Sequence, residues 1–180
     1  SFLIKSGHKR SKRHKQIKRQ AGVTSRCRAH NSDTFLGGHC IISHGTMTKT
    51  FANLPPHTQV RLSARYHQID NWQGETAFAR VDHQYVWTSQ SSSTIHPKGG
   101  IDMCGNSNYA ERAFSLPIDV VLEHSNSSLA VTFGSTALSK RDSATHSGLR
   151  ASSEASIEPA GTNDPCHRSF GVDDVMVFIK

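Results

Sequence analysis

The chain has 180 residues, 35% of them hydrophobic and 19% charged, with four cysteines, twelve histidines and a formal net charge of +7. That length suits one well-buried domain with appendages, because single cores run to ~100–200 residues. No apolar run approaches the ~20 residues a membrane-spanning helix needs; the longest, Val175–Ile179 and Ile118–Leu122, are strand-sized, so no transmembrane segment is expected.

The charge sits at one end. Residues 1–28 hold ten of the 21 basic residues and none of the fourteen acidic ones, which leaves eleven basic against fourteen acidic, a net −3, in the rest. Residues 1–28 therefore read as a basic extended arm, without hydrophobic periodicity beyond Phe2-Leu3-Ile4. Such a charge block is disordered alone and orders only against another surface. Lys9, Arg10, Lys12, Arg13, Lys15, Lys18 and Arg19 are expected to dock on the acidic domain of a neighbouring copy, with Phe2-Leu3-Ile4 capping that neighbour's sheet edge. Head-to-tail contacts of this kind propagate into filaments. Nucleic acid is not expected, since aromatic interleaving is missing, and membrane-surface binding would need an amphipathic pattern that is absent. Arg10-Ser11-Lys12-Arg13 resembles a proprotein-convertase site, and a chain opening on Ser1 reads as processed or as a fragment.

Residues 29–50 read as a linker with Gly37-Gly38, and Cys40-Ile41-Ile42 as a short edge strand. Thr46–Ala52 opens a β-sandwich that fills residues 51–180. The four cysteines, Cys27, Cys40, Cys104 and Cys166, show no C-x-x-C pair and no zinc spacing. An even count in a Ser/Thr/Asn/Gly-rich β chain fits two disulfides and an oxidising compartment. Of the three pairings, Cys27–Cys40 with Cys104–Cys166 is the expected one.

Asn53–Trp87 carries the strongest pattern. Val60, Leu62, Ala64 and Tyr66 alternate with Gln59, Arg61, Ser63, Arg65 and His67, a period of two that buries one face. Pro55-Pro56 prevents an earlier start. Ile69–Glu75 turns the chain into a strand with Phe78 and Val81, and a short segment ends at Tyr85-Val86-Trp87. Residues 89–109 form a long loop. Ser115–His124 and Ser128–Ser135 read as a hairpin around Ser125-Asn126-Ser127, with Leu129, Val131 and Phe133 facing inward. Residues 139–164 form a second long loop. Gly171–Ile179 is nearly continuously apolar from Val175, as a central strand covered on both faces would be. The fold class is all-β: two packed antiparallel sheets, jelly-roll-like.

The run NLPPHTQVRLSARYHQIDNWQGETAFARVD resembles a repeated β-sandwich module of ciliate and algal surface proteins, with the pattern N-L-P-x-H, an alternating strand, I-D-x-W-x-x-E and V-D. HSNSSLAVTFGSTAL and SFGVDDVMVFIK resemble its closing strands, the second reading S-[WF]-G-[IV]-x-[DN]. The resemblance covers about Phe51 to Lys180 and implies a fold similar to galactose-binding-like domains; it implies no activity. Gln73 stands where the module often carries an acid.

Asp70, Glu75, Asp82, Asp173 and Asp174 lie at expected strand ends or turns and are candidate ligands for Ca²⁺, which needs six to eight oxygens. Turn backbone N–H groups are the competing partners of such acids. Trp72, Trp87, Tyr85 and Tyr109 are candidates for stacking on sugars. Asn126 opens the sequon Asn126-Ser127-Ser128 at a turn. No G-x-S-x-G, H-E-x-x-H or P-loop occurs, so an enzyme is not expected. The expectation is a secreted structural or adhesive subunit of an extracellular filament or surface coat. The alternative is a lectin-like or Ca²⁺-dependent carbohydrate-binding module.

Overall fold

The computed structural model describes residues 3–6, 24, 25, 27, 34–91, 101–111, 114–137 and 166–180, and every regular element in them is a strand. In chain order these are β1 (Leu3–Ser6), β2 (Thr24–Ser25), β3 (Phe35–Gly37), β4 (Gly45–Phe51), β5 (Gln59–Asp70), β6 (Thr76–Val81), β7 (Gln84–Gln90), β8 (Leu116–Glu123), β9 (Leu129–Ser135) and β10 (Arg168–Ile179). The first sheet runs β2-β3-β10-β5-β8, and the second β4-β9-β6-β7. Every neighbour on these paths is antiparallel. The arm residues Lys9 to Arg19 and the loop at 139–164 lie outside the described residues.

The two sheets bury one core between them. The alternation of β5 puts Val60, Leu62, Ala64 and Tyr66 inside, opposite Ala77, Ala79 and Val81 of β6 and Leu129, Val131 and Phe133 of β9. On β10 the inward parity changes along the strand. Phe170 and Val172 face the core, and so do Val175, Val177 and Ile179. The pairing with β5 breaks register between Asp173 and Met176, where Asp174 has φ 48°. This is the work of a bulge, because a one-residue slip in an unbroken strand would turn every later side chain to the opposite face. Tyr66 stands at the centre, stacked on Phe170 with 5.2 Å between ring centroids, and its hydroxyl donates to Gly134 O at 3.0 Å.

A second, smaller core covers the end of the first sheet where β5 finishes and β10 begins, called the upper end below. Phe35, Ile69 and Cys104 are its buried members, with Cys27 and Phe114 packed against them. It lies on the outward side of β5, over His67, whose ring contacts Phe35 and Phe114 at 4.7 Å each. His67 Nε2 and Asp173 Oδ1 sit 3.0 Å apart beneath it but do not align as a hydrogen bond.

Several expectations are corrected. The disulfides are Cys27–Cys104 and Cys40–Cys166. β3 lies antiparallel to β10, with Gly37 opposite Gly171, so the chain leaving β3 at Cys40 meets the chain entering β10 at Cys166. Cys40-Ile41 lies in a turn and Ile42 in no regular element, and Phe35–Gly37 supplies the strand instead. β8 and β9 are not a hairpin: β8 pairs with β5 in one sheet, and β9 lies between β4 and β6 in the other. β9 is buried almost throughout while β8 alternates with exposed residues, as suits a central and an edge strand. Leu3–Ser6 runs parallel to Met176–Ile179 of its own chain, so this part of the arm caps its own sheet. Of residues 1–50, the described segments β1 to β4 pair within the two sheets. Among the described residues no helix is long and apolar enough to cross a membrane.

Candidate functional site

The upper end is braced rather than open. Asp70, at φ 65°, accepts the Asn106 N–H at 2.6 Å on Oδ1 and meets His39 Nδ1 at 2.7 Å on Oδ2. A Cβ on Gly105 would fall 2.3 Å from the same carboxylate, so this approach requires glycine. Glu111 accepts Met103 N–H at 2.8 Å and, more weakly, the N–H groups of Asp70 and Cys104 at 3.4 Å. Ile101 and Glu111 also exchange two backbone bonds, closing residues 101–111 into a compact flap over β5. Burial pushes both carboxyls above their ordinary range, partly offset by these hydrogen bonds.

The five acids proposed for Ca²⁺ do not share a place. Asp70 and Glu75 are at the upper end, Glu75 paired with Arg168 and accepting the Gln73 N–H. Asp82 turns the chain between β6 and β7 at the opposite, lower end. Asp173 faces His67, and Asp174 lies 3.4 Å from Arg65. Among the described residues one trio of donors has ligand spacing, His39, Cys40 and Cys166. Two of its atoms are the sulfurs of one disulfide, which removes the thiolates a metal would bind.

Of the aromatic candidates, Trp72 is a core residue, 8% exposed, whose indole N–H donates to Ser169 O at 2.9 Å. Trp87 packs against the main core beside Tyr66. Tyr109 is half-buried next to His167. Tyr85 differs: it is 59% exposed on the outward face of the second sheet. There Phe78 lies over Gly134, where a Cβ would come within 2.5 Å of the Phe78 Cζ. Tyr85 meets Phe78 edge-on at 5.2 Å, and the Arg80 guanidinium is 5.6 and 5.5 Å from the two ring centroids. Arg80 forms no ion pair among the described residues. Thr132 is its register partner and shares a hydroxyl contact of 3.0 Å with Thr48. Phe78 and Thr132 are themselves buried, so the patch presents Tyr85, the half-buried Arg80 and the Thr48 hydroxyl as a small aromatic and cationic platform.

Around the lower edge from this platform, the β6–β7 turn and the β8–β9 connection frame an open groove of about 730 Å³. Asp82, His83, Glu123, His124 and Asn126 line it, and Asn126 is exposed. From the lining inward runs a series of close polar contacts: Asp82 Oδ2 to His124 Nε2 at 3.1 Å, His124 Nδ1 to His57 Nε2 at 2.7 Å, and His57 Nδ1 to Pro55 O at 2.7 Å. Composition hid the two histidines, since twelve are scattered along the chain. A sequence signal did exist: His57 closes N-L-P-x-H, Asp82 closes V-D and His124 opens the penultimate strand motif.

No protein-family model matches the chain, and neither curated proteins nor solved structures yield a significant match.

Proposed function

We propose that the chain is an extracellular adhesive module, a subunit of a surface coat or matrix that contacts glycans through the exposed Tyr85 and its neighbours on the outward side of its second sheet. The observation that carries this reading is the Arg80 guanidinium lying against Phe78 and the exposed Tyr85. An exposed aromatic ring receives the apolar face of a pyranose, and a planar guanidinium beside it donates to sugar hydroxyls in a fixed fork. Two disulfides and an accessible sequon at Asn126 support a secretory route. The resemblance to surface-protein modules points the same way. A glycan array read with the full chain and with Tyr85→Ala tests it. Binding by the parent and its loss in the variant is the expected result, and an array blank for the folded parent would overturn the reading.

A second reading, assembly by strand exchange, is favoured by the pairing of β1 with β10. Residues 7–23 separate β1 from β2, and seventeen extended residues reach about 55–60 Å. That reach lets β1 of one copy occupy the β10 edge of the next. Ile4→Cys with Val177→Cys joins partners in register. Cross-linked ladders on a non-reducing gel would support exchange, and a purely monomeric product at every concentration would refute it. Negative-stain images before and after removal of Ser1–Gln20 give an independent readout.

A further inference from the structure

We infer that His57, His124 and Asp82 hold one shared excess proton, and that this proton latches the Asn53–Thr58 approach onto the two turns framing the lower groove. The inference follows from counting hydrogens along the series. Pro55 O only accepts, so His57 Nδ1 must carry a hydrogen for the 2.7 Å contact to be a bond. One hydrogen must lie between His57 Nε2 and His124 Nδ1, also 2.7 Å apart. Another must lie between His124 Nε2 and Asp82 Oδ2. Three hydrogens are required, and two neutral imidazoles bring two. The complete array is therefore an imidazole–imidazolium pair facing a carboxylate. With one proton fewer, two lone pairs face each other across one of the contacts. With one more, two N–H groups collide at 2.7 Å. The latch is complete over a band of pH and loosens on both sides of it.

The surroundings make the state of this array matter. His57 and His124 are 8% and 9% exposed and their rings lie 15° from parallel, so water does not substitute freely between the two rings, whereas the Asp82 side chain is 33% exposed to the groove. The other oxygen of Asp82 accepts the Ala130 N–H at 2.8 Å. Three backbone bonds tie the same segments together: Leu54 N–H to Ser127 O, His124 N–H to Thr58 O and Asp82 N–H to Ala130 O. Among the described residues, the other titratable groups around the array are His83 from the β6–β7 turn and Glu123 from β8, which line the same groove, and Lys180 beyond β10, whose carbonyl accepts the Thr58 N–H. Both walls of the groove, including the turn that bears Asn126, are therefore bridged by the proton-dependent series in addition to these backbone bonds.

Nitrogen-15 imidazole spectra of the full chain, recorded together with amide-exchange protection of Leu54 and Ala130 across pH, test the inference. Three ring N–H groups are expected in the band where protection is greatest. Protection should fall about fivefold on either side, the ratio for one hydrogen bond of about 1 kcal/mol. In Asp82→Asn the Ala130 N–H keeps the amide oxygen at Oδ1, so the amide N–H faces His124 Nε2 and donates to it. Two neutral imidazoles then complete the series, and protection should stay high toward alkaline pH instead of passing through a maximum. Two ring N–H groups throughout the band of greatest protection, or protection that is flat or monotonic in pH in the parent chain, would overturn it.

Discussion

Replacing Cys40 and Cys166 together by alanine removes the bridge between the end of β3 and the start of β10. The bridge spans 126 residues of sequence, but the loop it closes is shorter, because Cys27–Cys104 is already in place. The shortest covalent path runs from Cys40 back to Cys27, across that bridge, and on from Cys104 to Cys166. A loop of about 75 residues corresponds to about 4.5 kcal/mol of chain entropy lost from the unfolded state. Domains of this size have ~5–15 kcal/mol to lose, so the variant should remain folded but much less stable. Urea unfolding of parent and double variant reads the difference in midpoint. The m-value should hold or rise slightly, since the unfolded chain becomes less constrained. A loss below about 1.5 kcal/mol would refute the reasoning, as would disulfide mapping that recovered Cys27 joined to Cys40.

Other consequences are open to measurement. Gly134→Ala places a Cβ against the Phe78 ring and 2.8 Å from Gly45 O, so it should cost about 1–3 kcal/mol by urea unfolding and disturb the Arg80 stack. Tyr66→Phe removes the hydroxyl bonded to Gly134 O in the centre of the core, at a cost of about 1 kcal/mol by the same assay. Carbon-13 titration should place the Asp70 and Glu111 carboxyls above the ordinary ~3.9 and ~4.3, because they are buried, and Asp119 below, because of Arg61. Between the ordinary and raised values the native chain binds more protons than the unfolded one. These two groups therefore make stability fall as pH rises through that window, and Glu111→Gln should flatten the slope.

Much of the architecture was legible because β-strands write burial as a period of two. Val60, Leu62, Ala64 and Tyr66 announce the inward face of β5, and Leu129, Val131 and Phe133 that of β9. The apolar end of β10 was equally plain, yet its bulge was not. The clue was the parity change from Phe170 and Val172 to Val175, Val177 and Ile179 across Asp173-Asp174. The hairpin expected between β8 and β9 failed for a different reason. A short connection between two strands is consistent with pairing or with crossing between sheets, and only the neighbours each strand acquires decide which. The candidate surfaces were the least legible part. Tyr85 was named, but Arg80 and Phe78 join it through the register of β6 with β7. His57 and His124 are 67 residues apart and became partners only when two turns met.

By itself the amino-acid sequence determined the strand-forming class, the inward face of each long strand, the lack of any helix-length apolar span and an even set of cysteines. These are properties of local spacing and composition, and they persist in whatever order the strands assemble. Only the tertiary structure decided strand order, and strand order chose the disulfides: with β3 beside β10, Cys40 meets Cys166, and Cys27 is left to the flap that carries Cys104. It likewise parted the five acids, buried Trp72 and joined His57 to His124. Such contacts depend on which distant segments share a sheet edge or a turn, and no local pattern encodes that.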